Sequence, residues 1–417
     1  MADILFLAHR IPYPPNKGDK IRSWHILEHL ARQHRVHLGC FIDDEDDWQH
    51  VPFLQSICAS AYFQKVSPLQ GRLRSLTGLI SGAPLSVVYY ADKNFDAWVG
   101  RTLASQPVES VFLFSSAMGQ FMTGRGKPDV PVVMDFVDVD SDKWAQYAKT
   151  SRWPMSWVYA RESKTLEVYE RKLAAIFSAG VFVSEQEADH FRKLAPESRV
   201  KIHALNNGVD YEKFSPAVVL SSPFRVPGLK MVFTGAMDYW ANVDGVDWFA
   251  RQILPLVRQK FPDATFYIVG GKPARAVKEL ERLPGVVVTG SVPDVRPYLA
   301  YGDVVVCPLR IARGIQNKVL EGMAMGKAVV ATEAAFDGIN AQVGPEIAVA
   351  NSAVDFATQV IRLADGRLAA EMGRLARARI QADYGWKANL AILDKLLAQK
   401  NCSAVTASQP FRKINEG

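Results

Sequence analysis

Two charged residues stand three apart in the stretch Gly314-Ile315-Gln316-Asn317-Lys318-Val319-Leu320-Glu321-Gly322-Met323-Ala324-Met325-Gly326. Ile315, Val319, Leu320 and Met323 recur at helical spacing and Gly326 is a helix-closing residue. The spacing therefore predicts a helix with Lys318 and Glu321 on one face, away from the apolar stripe. Lys318 falls in the first turn, where the helix dipole disfavours a cation unless an anion is also present. That points to a phosphate. Glu321, one turn on, can accept hydrogen bonds from a pair of hydroxyls such as those of a ribose. A solvated Lys–Glu pair is the plain alternative, although in this order it is the weaker orientation for helix support.

Arg310 and Arg313 precede this helix, and three cations around one helix start form an anion site on general grounds; a solvated surface is the alternative. A second charged loop reads Asp135-Phe136-Val137-Asp138-Val139-Asp140-Ser141-Asp142-Lys143-Trp144. Carboxylates at this spacing can hold a divalent cation against a diphosphate. They also suit an ordinary helix start, where acidic residues and serine cap the first turn.

The elements that must position these residues alternate along the whole chain. Before the helix, Val304 to Cys307 is a β-branched run bounded by Asp303 and Pro308; after it comes a second run, Ala328 to Ala331. Both read as buried parallel strands. At the start, strand Ile4 to Ala8 feeds a Pro- and Gly-rich loop, an amphipathic helix and strand Val36 to Ile42. This is a nucleotide-binding-type βαβ order without the G-x-G-x-x-G fingerprint. Further strands are expected at Ala61 to Val66, Val108 to Phe114, Val130 to Phe136, Gly180 to Ser184 and Val200 to Ala204, with a long helix from Met155 to Phe177. A second series follows: strands at Lys230 to Gly235, Ala264 to Val269 and Val286 to Thr289, and helices at Val243 to Lys260, Ala274 to Arg282 and Val295 to Tyr301. Such alternation predicts an α/β protein of two doubly wound parallel sheets. Ligands then belong beyond the carboxyl ends of the strands, in the loops after Ala8, Phe136, Ser184, Gly235, Val269, Thr289 and Leu309.

A length of 417 residues suits two domains, and 48% hydrophobic with 22% charged residues is ordinary for a globular protein. The net charge of +6 comes without a Lys/Arg block, which argues against nucleic acid as partner. Cys40, Cys58, Cys307 and Cys402 are scattered, so neither a metal site nor a disulfide framework is expected. Met1-Ala2-Asp3 leads into a strand without a basic leader, and no apolar run approaches a bilayer span, so a cytoplasmic protein is expected. Val66 to Ala83 reads as an amphipathic basic helix with Leu69, Leu73, Leu76, Leu79 and Ile80 beside Lys65, Arg72 and Arg74. It either packs inside the first domain or rests peripherally on anionic lipid at the inner face of the cell membrane.

The late stretch resembles the nucleotide-sugar site of GT-B glycosyltransferases of family 4, whose second domain carries E-x7-E followed by A-M-A-x-G-x-P-V-V. Glu321 matches the second glutamate and Met323 to Val330 the following run, while Arg313 occupies the place of the first glutamate. Asn206-Asn207-Gly208-Val209-Asp210, with Phe214 and Pro216, resembles the family's N-G-V-D…F-x-P marker at the end of the first domain. Pro15-Asn16-Lys17-Gly18-Asp19 keeps one glycine of the P-x-x-G-G loop that faces the cleft. Together with the Asp138 loop, these patterns resemble the sugar transferases associated with exosortase (PEP-CTERM) exopolysaccharide systems.

The resemblance implies two Rossmann-like domains with a cleft between them: 1–214 on the acceptor side, a linker over 215–228, a donor domain over 229–385, a crossover helix over 386–400 anchored by Trp386, and a frayed tail over 401–417. It implies transfer of a sugar from a nucleoside diphosphate donor to a lipid-linked or saccharide acceptor, with retention at the anomeric carbon and no metal or other cofactor. Asp138, Lys318 and Arg310 are the expected catalytic residues, with Asp138 orienting the acceptor hydroxyl. Donor binding falls to Glu321, Arg313, Gly314, Gln316, Asn317, Asn242 and Gly235, and the cleft loop to Lys17, Gly18 and Asp19. Two rivals remain at this point: a nucleotide-sugar epimerase of the same fold, and a non-catalytic nucleotide-sugar-binding subunit of a polysaccharide assembly complex.

Overall fold

The structure is a computed structural model in which residues 1–15, 17–124, 130–312 and 314–398 are described. The chain forms two compact units, Met1–Leu205 and Asn206–Asn389, and from Leu390 it belongs again to the first. Each unit is a wholly parallel sheet wrapped by helices.

In the first unit the strands are β1 (Asp3–Ala8), β2 (Arg35–Ile42), β3 (Ser60–Lys65), β4 (Val108–Phe114), β5 (Val132–Val137), β6 (Ala179–Phe182) and β7 (Ile202–Ala204), in spatial order β3-β2-β1-β4-β5-β6-β7. Every residue of β1 is buried, which is why it reads as an unbroken apolar run rather than an alternating one. In the second unit β8 (Lys230–Thr234), β9 (Thr265–Val269), β10 (Val286–Gly290), β11 (Val304–Cys307), β12 (Ala328–Ala331) and β13 (Ala348–Val349) lie in the order β10-β9-β8-β11-β12-β13. Winding reverses between β1 and β4 in one unit and between β8 and β11 in the other. At such switch points the loops at the carboxyl ends splay apart and leave room for a ligand.

The fold class expected from the sequence is the one found: two parallel-sheet, Rossmann-like α/β domains. Three expectations differ in detail. Residues 206–214, expected with the first domain, cluster with the second. The cause is the Arg377 guanidinium, on the helix Gly366–Asp383, which donates to the Phe214 carbonyl at 3.0 Å, the Tyr211 carbonyl at 3.2 Å and the Ser215 hydroxyl at 3.1 Å. The same groups hold the start of the expected linker. The expected helix Val66 to Ala83 is two helices, Pro68–Ser75 and Thr77–Ser81, ended by Gly82 at φ +75°. The expected helix Val243 to Lys260 begins at Trp240 and includes a π-helical turn over Phe249–Ile253 just before Pro255. The last helix is Trp386–Ala398, with Gly208 packed on the Trp386 indole and His29 hydrogen-bonded to Asp394 at 2.8 Å. The expected tail over 401–417 lies outside the described residues.

A buried ion pair braces the first sheet. The Arg22 guanidinium, on the helix Gly18–Gln33, donates to the Asp135 carboxylate on β5 at 2.7 and 3.1 Å and to the Leu205 carbonyl at 2.6 Å. Such a pair is weak evidence for stability, but losing either partner strands a buried charge. It fixes the end of β5, next to the Asp138 loop.

Candidate donor-binding site

β11 ends at Cys307 and β12 begins at Ala328; the helix Asn317–Ala324 between them buries Val319, Leu320 and Met323 against the sheet. Apolar spacing thus aims the other face, with Lys318 and Glu321, away from the core. That face is half-buried rather than freely solvated. The Lys318 ammonium donates to the Asn242 side-chain oxygen at 2.8 Å and lies 5.0 Å from the Phe233 ring centroid. Asn242 is held in turn, its amide donating to the Ala236 carbonyl at 2.8 Å.

Three loops meet here because two glycines let the backbones touch. Gly235, after β8, has φ +159°, and a Cβ on it would lie 2.8 Å from the Asn242 amide nitrogen. Gly270, after β9, has φ +155°, and a Cβ there would lie 1.7 Å from the Gly235 carbonyl oxygen. No other residue fits at 270 without moving the Gly235 loop.

Burial governs the electrostatics of this face. Burial lowers the Lys318 ammonium from its ordinary value. Burial also pushes the Glu321 carboxyl up to about 7, against the pull of Lys318. Among the described residues the Glu321 carboxylate makes no hydrogen bond or ion pair. The Thr234 hydroxyl and the Asn317 side-chain oxygen are buried with no hydrogen-bond partner among those residues. Buried polar atoms are rarely left so.

Other expected donor residues are placed as follows. The Arg310 guanidinium donates to the Asp244 carboxylate, with one contact at 3.0 Å, and lies 5.8 Å from the Trp248 ring centroid, so its charge is already balanced. Gly314, at φ +62°, has its carbonyl bonded by the Gln316 side-chain amide at 3.0 Å. Arg313 lies outside the described residues. Asp244, Thr234 and Phe233 were not among the expected residues; they carry no motif, and only adjacency of β8 to β11 brings them in.

In the first unit Asp138 follows β5, whose last residue, Val137, sits at φ +67°. For a β-branched residue that is a strained conformation, of the kind found at functional loops. Burial, then Asp140 and Glu187, push the Asp138 carboxyl up to about 6. Asp140 lies 3.8 Å from Lys143. At the carboxyl end of β1 a separate cluster forms: Arg10 pairs with Asp19 at 2.6 Å and Asp43 at 2.8 Å, and His9 lies 3.8 Å from Asp19. Burial opposes the Asp19 charge, but Arg10 and His9 more than offset it and hold the carboxyl below its usual range. Asp19 therefore braces the β1 loop; Lys17 and Gly18 stand at the start of the same helix. His9 and Arg10 were missed, although their position straight after an apolar run was the available signal.

Residues 228–366 match the family described as Glycosyl transferases group 1. The chain carries a group 1 glycosyltransferase domain. It is an enzyme of the glycosyltransferase class, with the two-domain fold called GT-B. Sucrose-phosphate synthase from Thermosynechococcus elongatus is similar over 95% of this chain and 98% of its own, with a TM-score of 0.69 at 16% identity. HepE from Anabaena, solved in complex with UDP-glucose, matches with a TM-score of 0.62 at 16% identity over 95% of this chain and 99% of its own. A 44.6 kDa protein in the cps region of Klebsiella pneumoniae is 21% identical over 377 residues, 87% of this glycosyltransferase and 90% of the relative.

Proposed function

We propose that the protein transfers a sugar from a nucleoside diphosphate sugar to a lipid-linked or saccharide acceptor during exopolysaccharide assembly, with retention at the anomeric carbon. It belongs, in this reading, to the family 4 sugar transferases that accompany exosortase systems, and it works on the inner face of the cell membrane. The observation that carries the reading is the half-buried Lys318, held by Asn242 beside the unpaired Glu321 at the switch point of the second sheet. The UDP-glucose complex of HepE supports a nucleotide sugar as the ligand, and the cps-region relative supports a polysaccharide product.

Lys318 and the backbone N–H groups opening its helix take the diphosphate, where negative charge grows as the glycosidic bond breaks. Asn242 keeps the ammonium on station. Glu321 accepts the ribose hydroxyls, and the unpaired Thr234 and Asn317 oxygens complete the polar lining. Arg310, tied to Asp244, contributes long-range charge or is released when the donor arrives. Asp138 orients the acceptor hydroxyl, and the donor phosphate takes its proton, so no strong protein base and no metal are required.

Donor turnover tests the proposal. Release of nucleoside diphosphate that depends on added acceptor, with the sugar recovered in the product, is expected. Isomerised donor without acceptor would instead show an epimerase, and binding without turnover a carrier subunit.

A further inference from the structure

The first unit carries an apolar surface that its own fold does not cover. Leu69 is 72% exposed, Leu73 68%, Leu76 54% and Ile80 92%. Their spacing of four, three and four places them on one face of the helices Pro68–Ser75 and Thr77–Ser81, which run into each other through Leu76 in the right-handed helical region. A second element, fastened to these turns, also exposes large apolar side chains. Trp153 is 82% exposed, and Trp157 57%, at the start of the helix Met155–Ile176. One turn later, on the face of Trp157, the Arg161 guanidinium donates to the Gly78 carbonyl and, at 3.1 Å, to the Ala83 carbonyl. Glu162 accepts from the Leu85 and Ser86 backbone N–H groups at 2.6 and 2.9 Å. These bonds fasten the tryptophan end of the long helix to the leucine-bearing turns. A ring cluster of Trp144, Tyr147 and Tyr159, with centroids 5.3 to 6.0 Å apart, ties the long helix to the helix Asp140–Thr150.

The charge that these segments expose is basic, the Glu162 carboxylate being buried beneath the turns. Residues 66–91 and 143–161 together hold Arg72, Arg74, Lys143, Lys149, Arg152 and Arg161 and no aspartate or glutamate. Arg72, Lys149 and Arg152 are exposed and form no ion pair among the described residues. Leucines flanked by interfacial tryptophans and unpaired basic residues suit the boundary between acyl chains and anionic headgroups. A protein partner would need acidic complement and shaped pockets; a lipid surface needs only depth and charge. No described helix is long and apolar enough to cross a membrane, so the contact is peripheral.

We propose that Leu69, Leu73, Leu76 and Ile80, with Trp153 and Trp157, form a two-element docking surface that seats the enzyme on an anionic lipid membrane. The inference deepens the membrane placement proposed above and rests on that reading for its purpose, but it is tested without turnover.

The full-length protein is floated with vesicles of phosphatidylcholine and phosphatidylglycerol, and with phosphatidylcholine alone, at low and high salt. Flotation is expected with the anionic vesicles at low salt. The double variants Leu73→Ser/Ile80→Ser and Trp153→Ser/Trp157→Ser should each lose most of it while keeping wild-type melting. Arg72→Gln/Arg152→Gln should weaken it about 25-fold, since each basic residue near such a surface is worth about five-fold. A wild type that stays at the bottom at low salt overturns the proposal, as does flotation that both apolar variants retain. So does light scattering that shows a dimer which those variants split while nothing floats, since a second copy would then be the occupant. Thermal stabilisation by nucleotide sugars is measured on the same samples: if it is absent while flotation persists, the proposed nucleotide-sugar site has failed and the docking surface has not.

Discussion

Lys318, on the helix after β11, is hydrogen-bonded at 2.8 Å to Asn242, on the helix after β8, so the helices that follow the two strands across which the second sheet reverses are tied together at the switch point. The bond sets an ammonium group at the switch point that makes no other hydrogen bond among the described residues. A buried or half-buried cation of this kind costs free energy until an anion meets it.

Lys318→Ala should therefore lower kcat about 100-fold or more, as loss of other preorganised charge stabilisers does, with a smaller change in donor KM. Asn242→Ala should move in the same direction by less, because it loosens the ammonium without removing it. Steady-state kinetics with saturating acceptor reads both.

Glu321→Gln should raise donor KM about 10- to 100-fold and leave kcat nearly unchanged, since the ribose carries no changing charge and charged hydrogen bonds are worth about 1.5–3 kcal/mol. With its carboxyl pushed up to about 7, the wild type should bind the donor more tightly as pH rises through 7, and the glutamine variant should lack that slope. The apo-protein stability runs the other way. A carboxyl raised in the fold disfavours its own ionisation there, so stability falls between the ordinary 4.5 and about 7 and stays low above. Glu321→Gln should thus melt higher than wild type at pH 8 and no higher at pH 4, by calorimetry without ligand.

Asp138, pushed up to about 6, should give the rate an acid limb: kcat at saturating donor falls as pH drops through 6 and the carboxylate takes a proton. Asp138→Asn should lower kcat about 100-fold and erase that limb. An unchanged pH profile in the variant removes Asp138 from the chemistry.

In the proposed reading turnover should not need a divalent cation, because Arg310, Lys318 and backbone N–H groups, rather than a metal held by Asp138 and Asp140, would balance the diphosphate. Activity should survive EDTA. Complete loss, restored by magnesium or manganese, contradicts the assignment.

What was legible in the sequence was what is local. Strands β11 and β12 run over the residues expected, because Asp303 and Pro308 bound one short β-branched run and Lys327 and Thr332 the other. β13, two residues long, has too little pattern to find. The Lys318–Glu321 face was legible from spacing, but its depth was not: burial depends on Phe233 and the Gly235 and Gly270 loops, far off in sequence. The pairing of Arg310 with Asp244, 66 residues away, was hidden for the same reason. Helical periodicity likewise marked the Leu69 to Ile80 face as apolar without telling whether anything covers it.

The proposed transfer requires that the Lys318–Glu321 face bind a nucleoside diphosphate sugar. Thermal denaturation of the wild type, Lys318→Ala and Glu321→Gln against a panel of uridine, guanosine, adenosine, cytidine and thymidine diphosphate sugars tests it most directly. At about a hundred times its Kd, a ligand that binds only the folded state adds about 2.7 kcal/mol of stability. At least one nucleotide sugar should raise the wild-type melting temperature, and both substitutions should abolish most of the rise. A panel without effect on the wild type, or a rise that both variants keep in full, would contradict the proposal.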